Sequence, residues 1–133
     1  NMVCGFDVLG FALTEPADDM WLQLSNTPGI EIVPDPVYNL PTDPEKNVAG
    51  AALLAFLDAC EPGLGFKVKI EKNIKPGSGV GSSAASAAGA VAGANALLGN
   101  RFSKAELVQF AMFGEKVASG VKHADNIAPC IYG

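Results

Sequence analysis

A chain of 133 residues with nine basic and fourteen acidic side chains carries a net charge of −5 and no basic cluster, which argues against a nucleic acid or an anionic membrane as partner. A hydrophobic share of 49% excludes a disordered chain, and the length is that of one domain. The three cysteines, Cys4, Cys60 and Cys130, are odd in number and lack metal-ligand spacing, so they read as reduced thiols of a cytoplasmic protein.

In chain order, residues 20–25 and 29–33 both alternate apolar and polar side chains. Asn26-Thr27-Pro28 is turn chemistry between them, which predicts a β-hairpin. Four prolines, Pro34, Pro36, Pro41 and Pro44, make the next stretch an irregular loop. A first helix is predicted from about Glu45 to Cys60, with Ala51, Leu54, Ala55 and Leu57 among its apolar positions and Pro62-Gly63 as its stop. Residues 66–72 alternate strictly and predict a half-buried strand. A second helix, alanine-rich, is predicted over 82–98. A third starts with Ser103 as N-cap and Glu106 as its capping-box partner, runs to about Ser119, and ends at Gly120.

The second helix contains Gly89 and Gly93 in a GxxxG pattern. Its polar Ser82, Ser83, Ser86 and Asn95 do not suit a membrane span. Small residues instead let this helix lie close against the sheet or a neighbouring helix.

The segment Pro76-Gly77-Ser78-Gly79-Val80-Gly81-Ser82-Ser83-Ala84-Ala85-Ser86 joins the half-buried strand to the second helix. Its three glycines allow tight turns and close approach of an anion to backbone N–H groups. The helix N-terminus behind them offers free N–H donors and partial positive charge, which suit a phosphate. No lysine lies between Pro76 and Asn100, so this is not a Walker A loop. Serine stands at position 82 where a dinucleotide fingerprint needs glycine. Taken alone, such a loop also serves as a plain helix cap, with Ser82 or Ser83 as N-cap.

The loop resembles the phosphate loop of the GHMP kinases, which reads approximately Pro-x-x-x-Gly-Leu-x-Ser-Ser-Ala; Val80 replaces the leucine. The opening Asn1-Met2-Val3-Cys4-Gly5-Phe6-Asp7-Val8-Leu9-Gly10 looks like a segment of the homoserine kinases within that family, with Val3 in place of a glycine. His123-Ala124-Asp125-Asn126-Ile127-Ala128-Pro129 resembles a second such segment. The resemblance spans the chain and implies an α+β fold of the ribosomal protein S5 domain 2-like type. Family members are considerably longer. Residues 1–133 are therefore expected to be an N-terminal, ATP-binding domain without its first strand and without the C-terminal ferredoxin-like domain.

The same resemblance implies roles. The backbone from Pro76 to Ser86 would wrap the ATP phosphates, and Asn47 matches the region lining the adenine pocket; by itself Asn47 reads equally well as a helix cap. Ser83 and Glu115 would hold Mg²⁺, with Ser82 nearby; without the resemblance, Glu115 reads as a solvated helix carboxylate. Asp7 would bind the ammonium of L-homoserine and Asn1 would help orient it. His123, Asp125 and Asn126 would hold the hydroxyl end and carboxylate near the γ-phosphate, with Asp125 and Asn126 as catalytic candidates. Whether Asp125 takes the hydroxyl proton is left open by the sequence. The implied activity is ATP- and Mg²⁺-dependent phosphorylation of L-homoserine in threonine biosynthesis, by a cytoplasmic homodimer. Two alternatives stand beside it: a GHMP kinase for another small alcohol such as mevalonate, and a non-catalytic S5-like binding module.

Overall fold

The computed structural model describes residues 8–133. Seven elements follow one another: β1 (Asp19–Ser25), β2 (Gly29–Ile32), α1 (Val48–Asp58), β3 (Gly65–Glu71), α2 (Ser82–Leu97), α3 (Lys104–Ser119) and α4 (Ile127–Tyr132). The strands form one sheet in the order β1-β3-β2, with β3 antiparallel to β1 and parallel to β2.

The predicted hairpin is therefore corrected. Strands β1 and β2 exist where expected, but β3 lies between them and they do not pair. From Ser25 to Gly29 the chain has a reach of about 13 Å, enough to cross two strand spacings of about 4.8 Å each. Gly65, the first residue of β3, pairs with both Ser25 and Gly29. A Cβ there would meet the Thr27 carbonyl oxygen at 1.9 Å, so only glycine lets the connection pass across the end of β3. Because β2 and β3 are parallel, their connection must be a crossover, and α1 supplies it.

Helices α1, α2 and α3 pack on one another, and together with the sheet they enclose the core. Strand β3 gives Phe66, Val68 and Ile70 to the core and exposes Lys69 and Glu71, as the alternation predicts. The other face of the sheet is polar: Lys67 pairs with Glu31 at 2.6 Å and the Lys69 ammonium lies 4.7 Å from the Trp21 ring centre. Phe56 of α1 stands at the centre of an edge-to-face cluster, 6.2 Å from Phe66, 5.0 Å from Phe102 and 5.6 Å from Phe110.

Helix α1 is shorter than expected, because Asn47 caps it through bonds from the Ala49 and Gly50 amides. Its fully buried face is Ala49, Ala52, Leu53 and Phe56, one step round from the apolar positions singled out in the sequence. The segment is apolar on nearly every side, so periodicity does not reveal which side faces inward. Helix α3 has the predicted capping box and ends at Gly120 in the left-handed region. The short helix α4 was not anticipated; Pro129, which normally discourages a helix, stands within its first turn, where no N–H partner is lost.

Candidate functional site

The loop from Pro76 to Gly81 leaves β3 and enters α2 through three left-handed glycines, Gly77 (φ 75°), Gly79 (φ 82°) and Gly81 (φ 77°). Alternating such residues with ordinary ones turns successive N–H groups into one concavity, which suits an anion. A Cβ at Gly77 or Gly79 would meet nothing within 4 Å, so backbone conformation, and not crowding, demands glycine there. Gly81 itself is the N-cap of α2 and has no side chain to spend on the helix. The plain cap by Ser82 or Ser83 is thus absent, and the first N–H groups of α2 stay available to a ligand.

The two serines face different ways. Ser82 is buried, and its hydroxyl donates to the Ile74 carbonyl at 3.1 Å. Ser83 donates to Oε2 of Glu115 at 3.0 Å. Glu115 is itself buried, not a solvated helix carboxylate. It arrives there because α3 lies very close to both α1 and α2: a Cβ on Gly114 would meet the Val48 carbonyl oxygen of α1 at 2.4 Å and Ala87 Cβ of α2 at 2.9 Å. Ala87 and Ser83 are one turn apart on the same face of α2. Packing Gly114 on Ala87 therefore brings Glu115 to Ser83.

These groups border a cavity of about 470 Å³ whose lining includes Leu40, Pro41, Asn47, Lys72, Pro76, Gly77, Gly79, Ser83 and Glu115. Asn47 is at its rim with its side chain committed. The amide donates to the Pro41 carbonyl at 2.7 Å while the oxygen caps α1, so Asn47 fastens the Leu40–Pro41 wall. On the other side of the loop lies a cavity of about 760 Å³, bordered by Phe11, Leu13, Val80, Gly81, Ala85, Asn126 and Cys130 among others. Gly79 borders both. Burial pushes the Cys130 thiol above its ordinary pKa, and Cys60 and Cys130 are both free.

Asp125 and Asn126 precede α4. The Asn126 side chain lies 3.7 Å from where a Cβ of Gly81 would be, so the start of α4 abuts the end of the loop. A Cβ on Gly10 would fall 1.6 Å from the Asp125 carbonyl oxygen, so the chain at Gly10 passes directly against this corner. Asp125 is buried, and neither carboxylate oxygen has a hydrogen-bond partner among the described residues. A buried carboxylate without a partner is costly, and a donor from a ligand would offset that cost.

The family model for the GHMP kinases N terminal domain matches residues 47–133, which contain the loop, Glu115 and the Asp125 corner. The chain belongs to this family. Over its whole length this GHMP kinase domain is 48% identical to a homoserine kinase of Chlorobium phaeobacteroides and 44% identical to one of Chloroherpeton thalassium. It spans 45% and 46% of those two proteins, so it covers under half the length of the relatives it matches. A crystal structure of a homoserine kinase from Cytophaga hutchinsonii superposes with a TM-score of 0.89 at 44% identity, covering 98% of this chain and 42% of that one. A mevalonate kinase of Methanococcus jannaschii shares the fold, with a TM-score of 0.67 at 20% identity.

Within the GHMP kinase domain the residues singled out in the sequence sort by place. Pro76, Gly77, Gly79, Ser82, Ser83, Ser86, Asn47 and Glu115 border the smaller cavity. Gly79, Val80, Gly81, Ala85 and Asn126 border the larger one. Ser78 is at the exposed tip, and Ala84 is buried in the core. His123 and Asp125 lie in the α3–α4 connection and border neither cavity. Asn1 and Asp7 lie outside the described residues.

Sequence reasoning passed over Lys72, Asp18 and Gly114. Lys72 carried a signal: it occupies the inward parity of Phe66, Val68 and Ile70, where a lysine breaks the apolar pattern. No sequence feature marked Gly114. Among the described residues no three His, Cys, Asp or Glu side chains cluster as a metal cage. The donors present, one carboxylate and one hydroxyl beside a loop whose backbone conformation suits an anion, fit Mg²⁺, which usually shares its shell with phosphates and waters. No helix among the described residues is long and apolar enough to cross a membrane.

Proposed function

We propose that the chain is the ATP-binding part of a longer enzyme that transfers the γ-phosphoryl group of ATP to the hydroxyl of L-homoserine, giving O-phospho-L-homoserine and ADP. The Ser83–Glu115 contact at the foot of the left-handed glycine loop carries the phosphoryl-transfer reading. The homoserine kinase name of relatives up to 48% identical supports the acceptor.

In this reading the N–H groups of residues 77–83 bind the phosphate oxygens and offset charge that develops on the transferred group. Leu40, Pro41 and Val48 would enclose the nucleoside in the smaller cavity. Ser83 and Glu115 would hold Mg²⁺, which when bound neutralises charge on the β- and γ-phosphates. Asn126, against Gly81, would orient the acceptor hydroxyl toward the loop. Asp125 would accept a hydrogen bond from homoserine. The new O–P bond forms as the bond to the ADP oxygen breaks, and the hydroxyl proton goes either to Asp125 or to the transferred phosphoryl group. Asp7 and Asn1 complete the proposed amino-acid site. The enzyme is proposed to be a cytoplasmic homodimer acting in threonine biosynthesis; light scattering tests the assembly.

The test is ADP release by the intact protein with L-homoserine, mevalonate, galactose or no acceptor, with and without Mg²⁺. Turnover with homoserine alone that requires Mg²⁺ and falls in Glu115→Ala and Asp7→Ala is expected. Turnover only with another alcohol overturns the acceptor assignment. No turnover with any acceptor favours a binding module.

A further inference from the structure

Lys72 and Asp18 continue the β1–β3 register by one position beyond the paired Asp19 and Glu71. Both therefore point to the helical side of the sheet, the side also taken by Met20, Leu22, Val68 and Ile70. Their side chains are 3% and 6% exposed, and they form a buried ion pair. A buried pair of this kind needs further hydrogen bonds to satisfy its remaining donors and lone pairs.

Those bonds all go to the phosphate loop and its flanks. The Lys72 ammonium has three donors. One goes to Asp18, one to the Ser82 carbonyl at 3.2 Å and one to the Ser86 hydroxyl at 3.0 Å. The other Asp18 oxygen accepts from the Asn73 and Ile74 amides at 2.9 and 2.8 Å. Ser82 closes the circuit by donating to the Ile74 carbonyl. Asp18, Ile74, Ser82 and Lys72 thus form a ring that ties the entry of the loop to its exit. Ser86 donates to the Ser82 carbonyl and accepts from Lys72, so its hydroxyl donor is already used within the ring.

We propose that Lys72 and Asp18 are positioning residues that clamp the two ends of the phosphate loop at a fixed separation. This rests on the reading of the loop as a Mg-ATP site. Lys72 borders the smaller cavity, which invites a different role, that of a cation bound directly to phosphate. Its three donors are already spent and its charge is neutralised by Asp18, so it acts through Ser82 and Ser86. Clamped ends leave the three left-handed glycines little freedom to lose on binding, which is where pre-organisation gains affinity.

The two roles predict opposite signs for Asp18→Asn. A direct phosphate cation would be unmasked by this change and would bind Mg-ATP more tightly. A clamp would be loosened, and the KM for Mg-ATP is expected to rise about tenfold with the KM for the acceptor unchanged. Lys72→Met is expected to act in the same direction, and the double variant to be no worse than the worse single one, because both break one ring. Ser86→Ala keeps the buried ion pair and guards against misfolding of the charge variants; its Mg-ATP KM is expected to rise about threefold. Phe56→Leu, remote from the loop, serves as a control for general destabilisation and is expected to leave this KM unchanged. All variants are assayed in the intact protein, with direct Mg-ATP titration calorimetry alongside. Tighter Mg-ATP binding in Asp18→Asn, or unchanged affinity in Ser86→Ala, overturns the clamp while the ATP site stands. No Mg-ATP heat with the unaltered protein overturns the ATP reading and the clamp together.

Discussion

Ser83 and Glu115 meet because each is fixed by its own helix, so their pairing is a matter of placement and not of flexibility. Glu115→Gln keeps the size and the hydrogen-bond acceptor while removing the charge. Turnover is expected to fall about a hundredfold or more, with an unchanged circular dichroism spectrum. Gly79 works by conformation alone, and Gly79→Ala forces a side chain into the left-handed region at a cost of about 1–2 kcal/mol. The expected readout is weaker Mg-ATP binding with little change in melting temperature, because the loop deforms before the core does. Cys130 gives a pH test. Reaction requires the thiolate, and burial raises this thiol's pKa, so its thiolate fraction at neutral pH is below that of a free cysteine. In a Cys4→Ser, Cys60→Ser background the alkylation rate should be slow at neutral pH and keep climbing beyond the ordinary thiol value of 9.0.

At the scale of elements, two kinds of glycine are distinguished by what surrounds them. Gly89 and Gly93 drew notice as a GxxxG pair, yet a Cβ on either would make ordinary contacts, 3.8 Å from Met20 or Leu22. Gly93→Ala should therefore stabilise α2 by about 0.5–1 kcal/mol, measured by denaturant unfolding. The close packing of α2 rests instead on its alanines, of which Ala84, Ala87, Ala90 and Ala94 are fully buried. Gly114, with no pattern to advertise it, is a glycine that packing does require. Gly114→Ala must push α3 away from Val48 and Ala87, and it should lower both melting temperature and turnover, since Glu115 moves with it. The β1–β2 connection teaches the same lesson. Its turn chemistry was legible, but a turn does not say whether its two strands pair or part to admit a third.

Across the whole molecule, the sheet and three helices share one core in which Phe56 touches β3, the α2–α3 connection and α3. Phe56→Ala should cost about 3–5 kcal/mol in unfolding free energy, far more than any loop substitution. A ligand that binds only the folded state stabilises it by mass action, so Mg-ATP at a hundred times its dissociation constant should add about 2.7 kcal/mol. A thermal shift with Mg-ATP that is abolished by EDTA is the expected result.

The loop, the strand before it, the helix after it and the capping box of α3 were all legible in the sequence, because each depends on near neighbours along the chain. Glycine spacing fixes left-handed turns, alternation fixes the buried face of β3, and Ser103 with Glu106 fixes a helix start. Order in the sheet, the inward face of α1 and the partners of Lys72 were decided only by tertiary structure. A nearly all-apolar helix has no single preferred side, and a buried lysine becomes intelligible only when a carboxylate distant in sequence is brought beside it. Asp18 lies 54 residues from Lys72 along the chain. Register between β1 and β3 brings them together, and that register belongs to the fold and to neither strand alone.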